Sequence, residues 1–335
     1  MRPATALAVV GALALGVAAY SRAAPPLPRA HLALPADPLA PIEPAAPLPA
    51  PATIAPAAQP ALANPAPAAT PAPDPMAPAA ARPRGRRGCP ADMVRVAGRF
   101  CIDRFEATMV DVASGRPLSP YYPPTPKLFR QIVEQWADAP TPPVASLLPM
   151  PFPEVPSWQR EAAFAPRAVS SRSVVPQGYV SGVTARAACE QSGKRLCSLD
   201  EWTTACRGAR GTQYPYGDTF SAASCNVFRE EHPAHLLHGS FSTGLLDPRL
   251  NQVAYQGEPL LRATGASPAC KSAWGDDAVY DMVGNLDEWV DDPEGTFVGG
   301  FYARATRSGC DAKVSAHPAT YFDYSTGVRC CDAVR

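Results

Sequence analysis

Two sets of side chains in this 335-residue chain are able to do chemistry: ten cysteines and a close group of histidines. The cysteines are Cys89, Cys101, Cys189, Cys197, Cys206, Cys225, Cys270, Cys310, Cys330 and Cys331. An even number in an exported domain points to disulfides, and the paired CxxC knuckles of a zinc site are absent. Adjacent Cys330 and Cys331 do not readily bond each other, so each is expected to have a distant partner, and the pairing itself stays open. The histidines sit in REEHPAHLLHG, where His232, His235 and His238 follow Glu231. Imidazoles at i and i+3 share a helix face and can ligate a transition metal. Against this, Pro233 weakens any helix that includes His232, and a surface loop with three ordinary histidines is the competing expectation. Trp202, Trp274 and Trp289 could stack on a sugar, although Trp202 falls on the apolar face of a helix and reads as core. No G-x-S-x-G elbow, P-loop or dinucleotide fingerprint occurs in the globular part.

The elements that must position these groups begin late in the chain. Arg2, the apolar run from Ala4 to Tyr20 and the small-x-small Ser21-Arg22-Ala23 make residues 1–23 a signal peptide or an N-terminal anchor. Either places the domain outside the cytoplasm: secreted, periplasmic or held at the outer face of a membrane. Residues 24–88 form a Pro/Ala-rich tether ending in the basic patch Arg82–Arg87. Such a stretch has too little to bury to offset its ordering entropy and is expected to be disordered. Thirty basic and thirty acidic side chains leave no net charge, which removes the electrostatic footprint of a nucleic-acid binder. Residues 89–335 suffice for one large domain.

Within it, 93–108 reads as a hairpin turning at Gly98. Residues 118–178 are again Pro-rich and read as a long surface insertion, interrupted by the helical run LFRQIVEQWA. Thr184 is the expected cap of a helix through ARAACEQS that Gly193 stops. Ser198 and Glu201 form a capping box for LDEWTTACR, whose buried face is Leu199, Trp202 and Cys206. Short strands and loops follow from residue 210, so the expected class is α+β.

Several blocks resemble the formylglycine-generating, or sulfatase-modifying-factor, domain family. GKRLCSLDEW (193–202) resembles the family's GKRLPTEAEW, YPYGD (214–218) its YPWGD, and YDMVGNLDEWV (280–290) its YDMxGNVWEWV. FCIDRFEAT (100–108) stands where the family has an F-x-I-x-x-x-EVT strand. Gly299-Gly300-Phe301 is similar to RGGSW, and Gly327-Val328-Arg329 to the closing GFR. The blocks keep the family's order across 89–331.

The resemblance implies a variant C-type-lectin-like fold, loop-rich and here stapled by disulfides. It also implies structural calcium. One ligand set falls on the Asp281 side chain, the Gly284 and Leu286 carbonyls and the Glu288 carboxylate, all oxygen donors of the kind calcium takes. Asn226 and the Val227 carbonyl match part of a second set. Copper is a different matter. The family's enzymes bind it with two cysteines five residues apart beyond the GGS segment, soft thiolates suited to Cu(I). Here Arg304 and Gly309 take those places, Phe301 replaces the serine, and Asp287 replaces the aromatic of NVWEW. Cys310 is one residue off. Nothing corresponds to the extra helical domain of the family's iron-dependent branch. The calcium-coordinating EPN and QPD tripeptides of sugar-binding lectins are absent as well.

The resulting expectation is an exported, calcium-stabilised, non-catalytic binding or scaffold module for a protein, peptide or glycan ligand. It touches a membrane only through an N-terminal anchor. The alternatives are an oxidoreductase with a displaced site, built from Cys310 with Cys330 or Cys331 or from the histidines, and carbohydrate or peptide recognition in the family's substrate groove.

Overall fold

Met93–Val96 (β1) and Phe100–Asp103 (β2) pair antiparallel, with Val96 opposite Phe100. Ala97 and Gly98 turn the chain at positive φ, which confirms the hairpin at the expected glycine. The computed structural model describes residues 88–137, 150–227, 231–304 and 306–335. The signal segment and the tether up to residue 87 lie outside them.

Ala107–Asp111 (β3) comes next, then Pro126–Ala137 (α1), Ser157–Glu161 (α2) and Pro166–Ser170 (β4). β4 pairs antiparallel with β3 along its whole length. The described residues of 118–178 are therefore not confined to the surface, as a surface insertion would require. Leu118, Tyr122, Phe129, Ile132, Phe164 and Ala168 share a core cluster with Trp289 and Val328. Frequent proline limits regular backbone pairing but takes nothing from the gain of burying the apolar side chains between the prolines.

The helix Gly182–Gln191 (α3) starts earlier than its sequence suggests. Ser181 is the cap, accepting from the Thr184 amide at 3.1 Å, while the Thr184 hydroxyl is engaged with Ser181. After Arg195–Leu196 (β5), the helix Leu199–Arg207 (α4) carries the expected capping box of Ser198 and Glu201 and ends at Gly208. Pro233–His238 (α5) opens with proline in the first turn, where its missing N–H costs nothing, and His232 caps it. Short strands complete the chain: Ala254–Tyr255 (β6), Glu258–Pro259 (β7), Lys271–Trp274 (β8), Asp277–Tyr280 (β9), Asp287–Trp289 (β10), Phe297–Val298 (β11), Lys313–Val314 (β12), Thr326–Val328 (β13) and Cys330–Ala333 (β14).

Two four-stranded sheets organise the domain, in the orders β1-β2-β14-β5 and β12-β11-β10-β13. In the first, β14 lies antiparallel between β2 and β5, so the last strand closes against the first hairpin. In the second, β10 runs parallel to β13 and antiparallel to β11. Five disulfides use every cysteine: Cys89–Cys101, Cys189–Cys330, Cys197–Cys331, Cys206–Cys310 and Cys225–Cys270. Three of them close loops of more than a hundred residues. In the chain-entropy account each such closure stabilises the fold by about 4–5 kcal/mol before strain is counted.

Candidate functional site

β10 places Asp287 and Glu288 side by side in sequence and on opposite faces of its sheet. Asp287 is fully buried, and its Oδ1 accepts from Arg304 Nη1 at 3.0 Å. Its Oδ2 is buried with no hydrogen-bond partner among the described residues. Burial, with a push from nearby Asp323, raises the Asp287 carboxyl to about 7, against the pull of Arg304 and the Gly300 amide. Arg304 leaves 37% of its side chain exposed and lies 5.0 Å over the Phe301 ring. Around the pair, Asp323 accepts from the Tyr321 hydroxyl at 2.5 Å and from Ser325, and Tyr321 stacks on His317. Gly300 makes the turn beside them at φ +75, where a Cβ would come within 2.1 Å of Thr306 Oγ1. Arg304 brings this group to the surface, where its guanidinium can meet an ionic or hydrogen-bonding ligand.

The displaced thiol site expected at Cys310 with Cys330 or Cys331 is not formed. Cys310 is bonded to Cys206, while Cys330 and Cys331 reach Cys189 and Cys197. The reason is strand alternation: neighbours on β14 point to opposite faces, so Cys330 enters the core cluster of Trp289 and Cys331 that of Trp202.

The histidines are not brought together either. His232 Nδ1 accepts the Ala234 amide and its Nε2 lies 2.9 Å from the Tyr324 hydroxyl. His235 stacks on the exposed Phe241, while His238 faces Asp247 at 3.1 Å and Trp136. Among the described residues no group of three or more His, Cys, Asp or Glu side chains is arranged to hold a metal. The tryptophans form no stacking face: Trp202 and Trp289 are core, and half-buried Trp274 donates to the Ala205 carbonyl.

On the other face of β10, Glu288 is enclosed. Its carboxylate accepts from Trp202 Nε1 at 2.6 Å and from Arg329 through Nε and Nη2. Asp281, in the left-handed region at φ +58, accepts the Gly265 amide at 2.6 Å. Glu106 accepts from Asn285 Nδ2 and the Leu286 amide. Three buried carboxylates thus gather near the single guanidinium of Arg329. Burial first, then the neighbouring Asp281 and Glu288, pushes Glu106 well above the usual carboxylate range, and burial raises Asp281 to about 6. Glu106 and Arg329 are the residues that reasoning on spacing missed, although both lie inside the motif blocks FCIDRFEAT and GVR.

The implied calcium ligands fit unevenly. Both oxygens of Glu288 already accept from Arg329, and one of them from Trp202 as well, so the carboxylate is committed to N–H donors and the set at Asp281, Gly284, Leu286 and Glu288 does not fit as the resemblance has it. At Asn226, beside the buried Val227, Nδ2 donates to the Leu260 carbonyl and Asn285 Oδ1, and Oδ1 is buried without a partner among the described residues. That orphaned oxygen fits a cation.

A mixed α+β domain, stapled by five disulfides, with a buried aspartate bonded to Arg304, defines the class. The family model described as the sulfatase-modifying factor enzyme 1-like domain matches residues 86–333, and the chain belongs to that family. Among solved structures, it is similar to the I1 variant of the major tropism determinant, at 14% identity over 75% of this chain and 54% of that one, with a TM-score of 0.37. The chain thus spans about half the length of that protein. It is also similar to PvdO from Pseudomonas aeruginosa, at 13% identity, 70% and 80% coverage and a TM-score of 0.33. CarF matches at 17% identity, 70% and 87% coverage and a TM-score of 0.31.

Proposed function

We propose that this chain is an exported, non-catalytic binding or scaffold module that takes a peptide or glycan ligand at the Asp287–Arg304 pair. The observation that carries the reading is the occupant of the copper position: Arg304, ion-paired to Asp287, in a chain whose ten cysteines are all bridged. Copper–thiolate chemistry needs deprotonated sulfur, and a disulfide has none to offer. Five disulfides also favour an oxidising, extracytoplasmic setting. The test is to load the secreted protein with Cu(I) and follow metal retention and oxygen consumption with a thiol reductant. Neither is expected; stoichiometric copper with oxygen uptake would sink the reading.

Calcium enters this proposal as a stabiliser rather than a reactant. Its support is the unpartnered, buried Asn226 oxygen. Saturating calcium is expected to raise Tm by ligand linkage, and Asn226→Ala to reduce that rise. A calcium shift unchanged in Asn226→Ala removes this part of the proposal and leaves the binding role untouched.

A further inference from the structure

Away from β10, a cavity of about 240 Å³ opens between the end of α4 and β8. Arg207, Arg210 and Lys271 line it, with Thr212, Pro215 and Tyr216, and its lining includes no acidic side chain. A void this size far exceeds the roughly 10–15 Å³ that holds one water. Arg207 Nη2 pairs with Asp311 at 2.6 Å, which leaves most of the guanidinium's five donors open; its Nε is buried with no partner among the described residues. Arg210 and Lys271 form no ion pair among the described residues.

Two of the carbonyls at the helix end are already engaged by donors of their own. Ala205 O accepts from Gly208 N and Trp274 Nε1, and Arg207 O accepts from Thr212 N and Oγ1. The walls are also held before any ligand arrives. Cys206–Cys310 anchors the residue before Arg207, and Cys225–Cys270 the residue before Lys271. Gly208 packs on β8, where a Cβ would sit in van der Waals contact with the amide and the carbonyl of Ala273 at 3.4 Å. Tyr216, stacked on Tyr214, gives the cavity a planar wall.

We propose that this cavity binds a tetrahedral oxyanion, a phosphate or sulfate group, through Arg207, Arg210 and Lys271. Three cations from two chain segments suit a ligand with oxygens on several sides, and the arginine fork matches such oxygens in pairs. The site shares no residue with the Asp287–Arg304 pair and stands whether or not that pair binds a ligand. Calorimetric titration of the full-length secreted protein at low ionic strength tests it, with inorganic phosphate, glucose 6-phosphate and glucose as probes.

Both phosphate-bearing probes are expected to bind and glucose not to. Affinity should fall as salt rises, and Arg210→Ala/Lys271→Ala should weaken binding at least tenfold with all five bridges intact by mass. Tighter binding of the sugar phosphate identifies an ester as the source, and equal binding a free anion; either supports the oxyanion site. Binding of glucose as tight as that of its phosphate, no binding at millimolar concentration, or undiminished binding in the double variant overturns it.

Discussion

Asp287 and Glu288 put the same chemistry on the two faces of β10, a buried carboxylate against an arginine, and the two pairs end differently. Glu288 and Arg329 are both sealed, both oxygens of the carboxylate accept from the guanidinium, and Trp202 adds a further N–H donor. Asp287 is equally buried, yet one of its oxygens has no hydrogen-bond partner among the described residues and Arg304 reaches solvent. A saturated pair orients its surroundings and has nothing left to offer a ligand. An unsaturated pair keeps recognition capacity at a cost in stability. The contrast separates scaffold from candidate site within two consecutive residues.

The largest expected effect is on the sealed side. Arg329→Met leaves Glu106, Asp281 and Glu288 without their shared cation, which should cost about 3–5 kcal/mol in urea unfolding. A loss below about 1 kcal/mol would contradict the sealed-pair account. Next is Asp287→Asn. The folded carboxyl holds its proton up to about 7, whereas the unfolded one releases it near the ordinary 3.8. Between those values the folded state binds more protons, so this group's contribution to stability falls as pH rises from about 4 to 7 and is level above. Asp287→Asn should flatten that decline and stabilise the protein by about 2 kcal/mol at pH 8, read from Tm across pH. An unchanged pH profile would show that the carboxyl is not held protonated.

Smaller effects sharpen the same comparison. Trp202→Phe keeps the ring and removes the indole donor to Glu288, with an expected loss of about 1–2 kcal/mol in chemical denaturation. Arg304→Ala removes a half-exposed partner and should change stability by less than about 1 kcal/mol. The ligand of the pair should nonetheless be lost, as measured by comparing glycan or peptide array profiles of wild type and variant. Array binding that survives Arg304→Ala moves the ligand elsewhere.

Much of the fold was legible in short, local signals. The hairpin at Gly98 and the Ser198–Glu201 capping box follow from backbone and side-chain preferences that act within a few residues. The start of α3 was misread because Ser181 and Thr184 are both competent caps, and their mutual hydrogen bond decides which one serves. In the Pro-rich stretch 118–178, Phe129 and Ile132 share one face of the expected helical run, but only the fold shows that this face packs into the cluster of Trp289 and Val328. The candidate site was half legible. The exchange of copper cysteines for Arg304 and Gly309 can be counted along the chain, whereas the pairing of Arg304 with Asp287 spans 17 residues and requires the fold.

By itself, the sequence determined the family and the number of thiols available for pairing. Those depend on residue identity and order along the chain. Only the tertiary structure decided which cysteines join, that Glu288 answers to Arg329, and that Asp287 keeps an open oxygen. Each of those depends on which face of a strand a side chain occupies and what the opposing surface presents to it. Strand alternation sends adjacent Cys330 and Cys331, like adjacent Asp287 and Glu288, into environments set by residues far away in the chain.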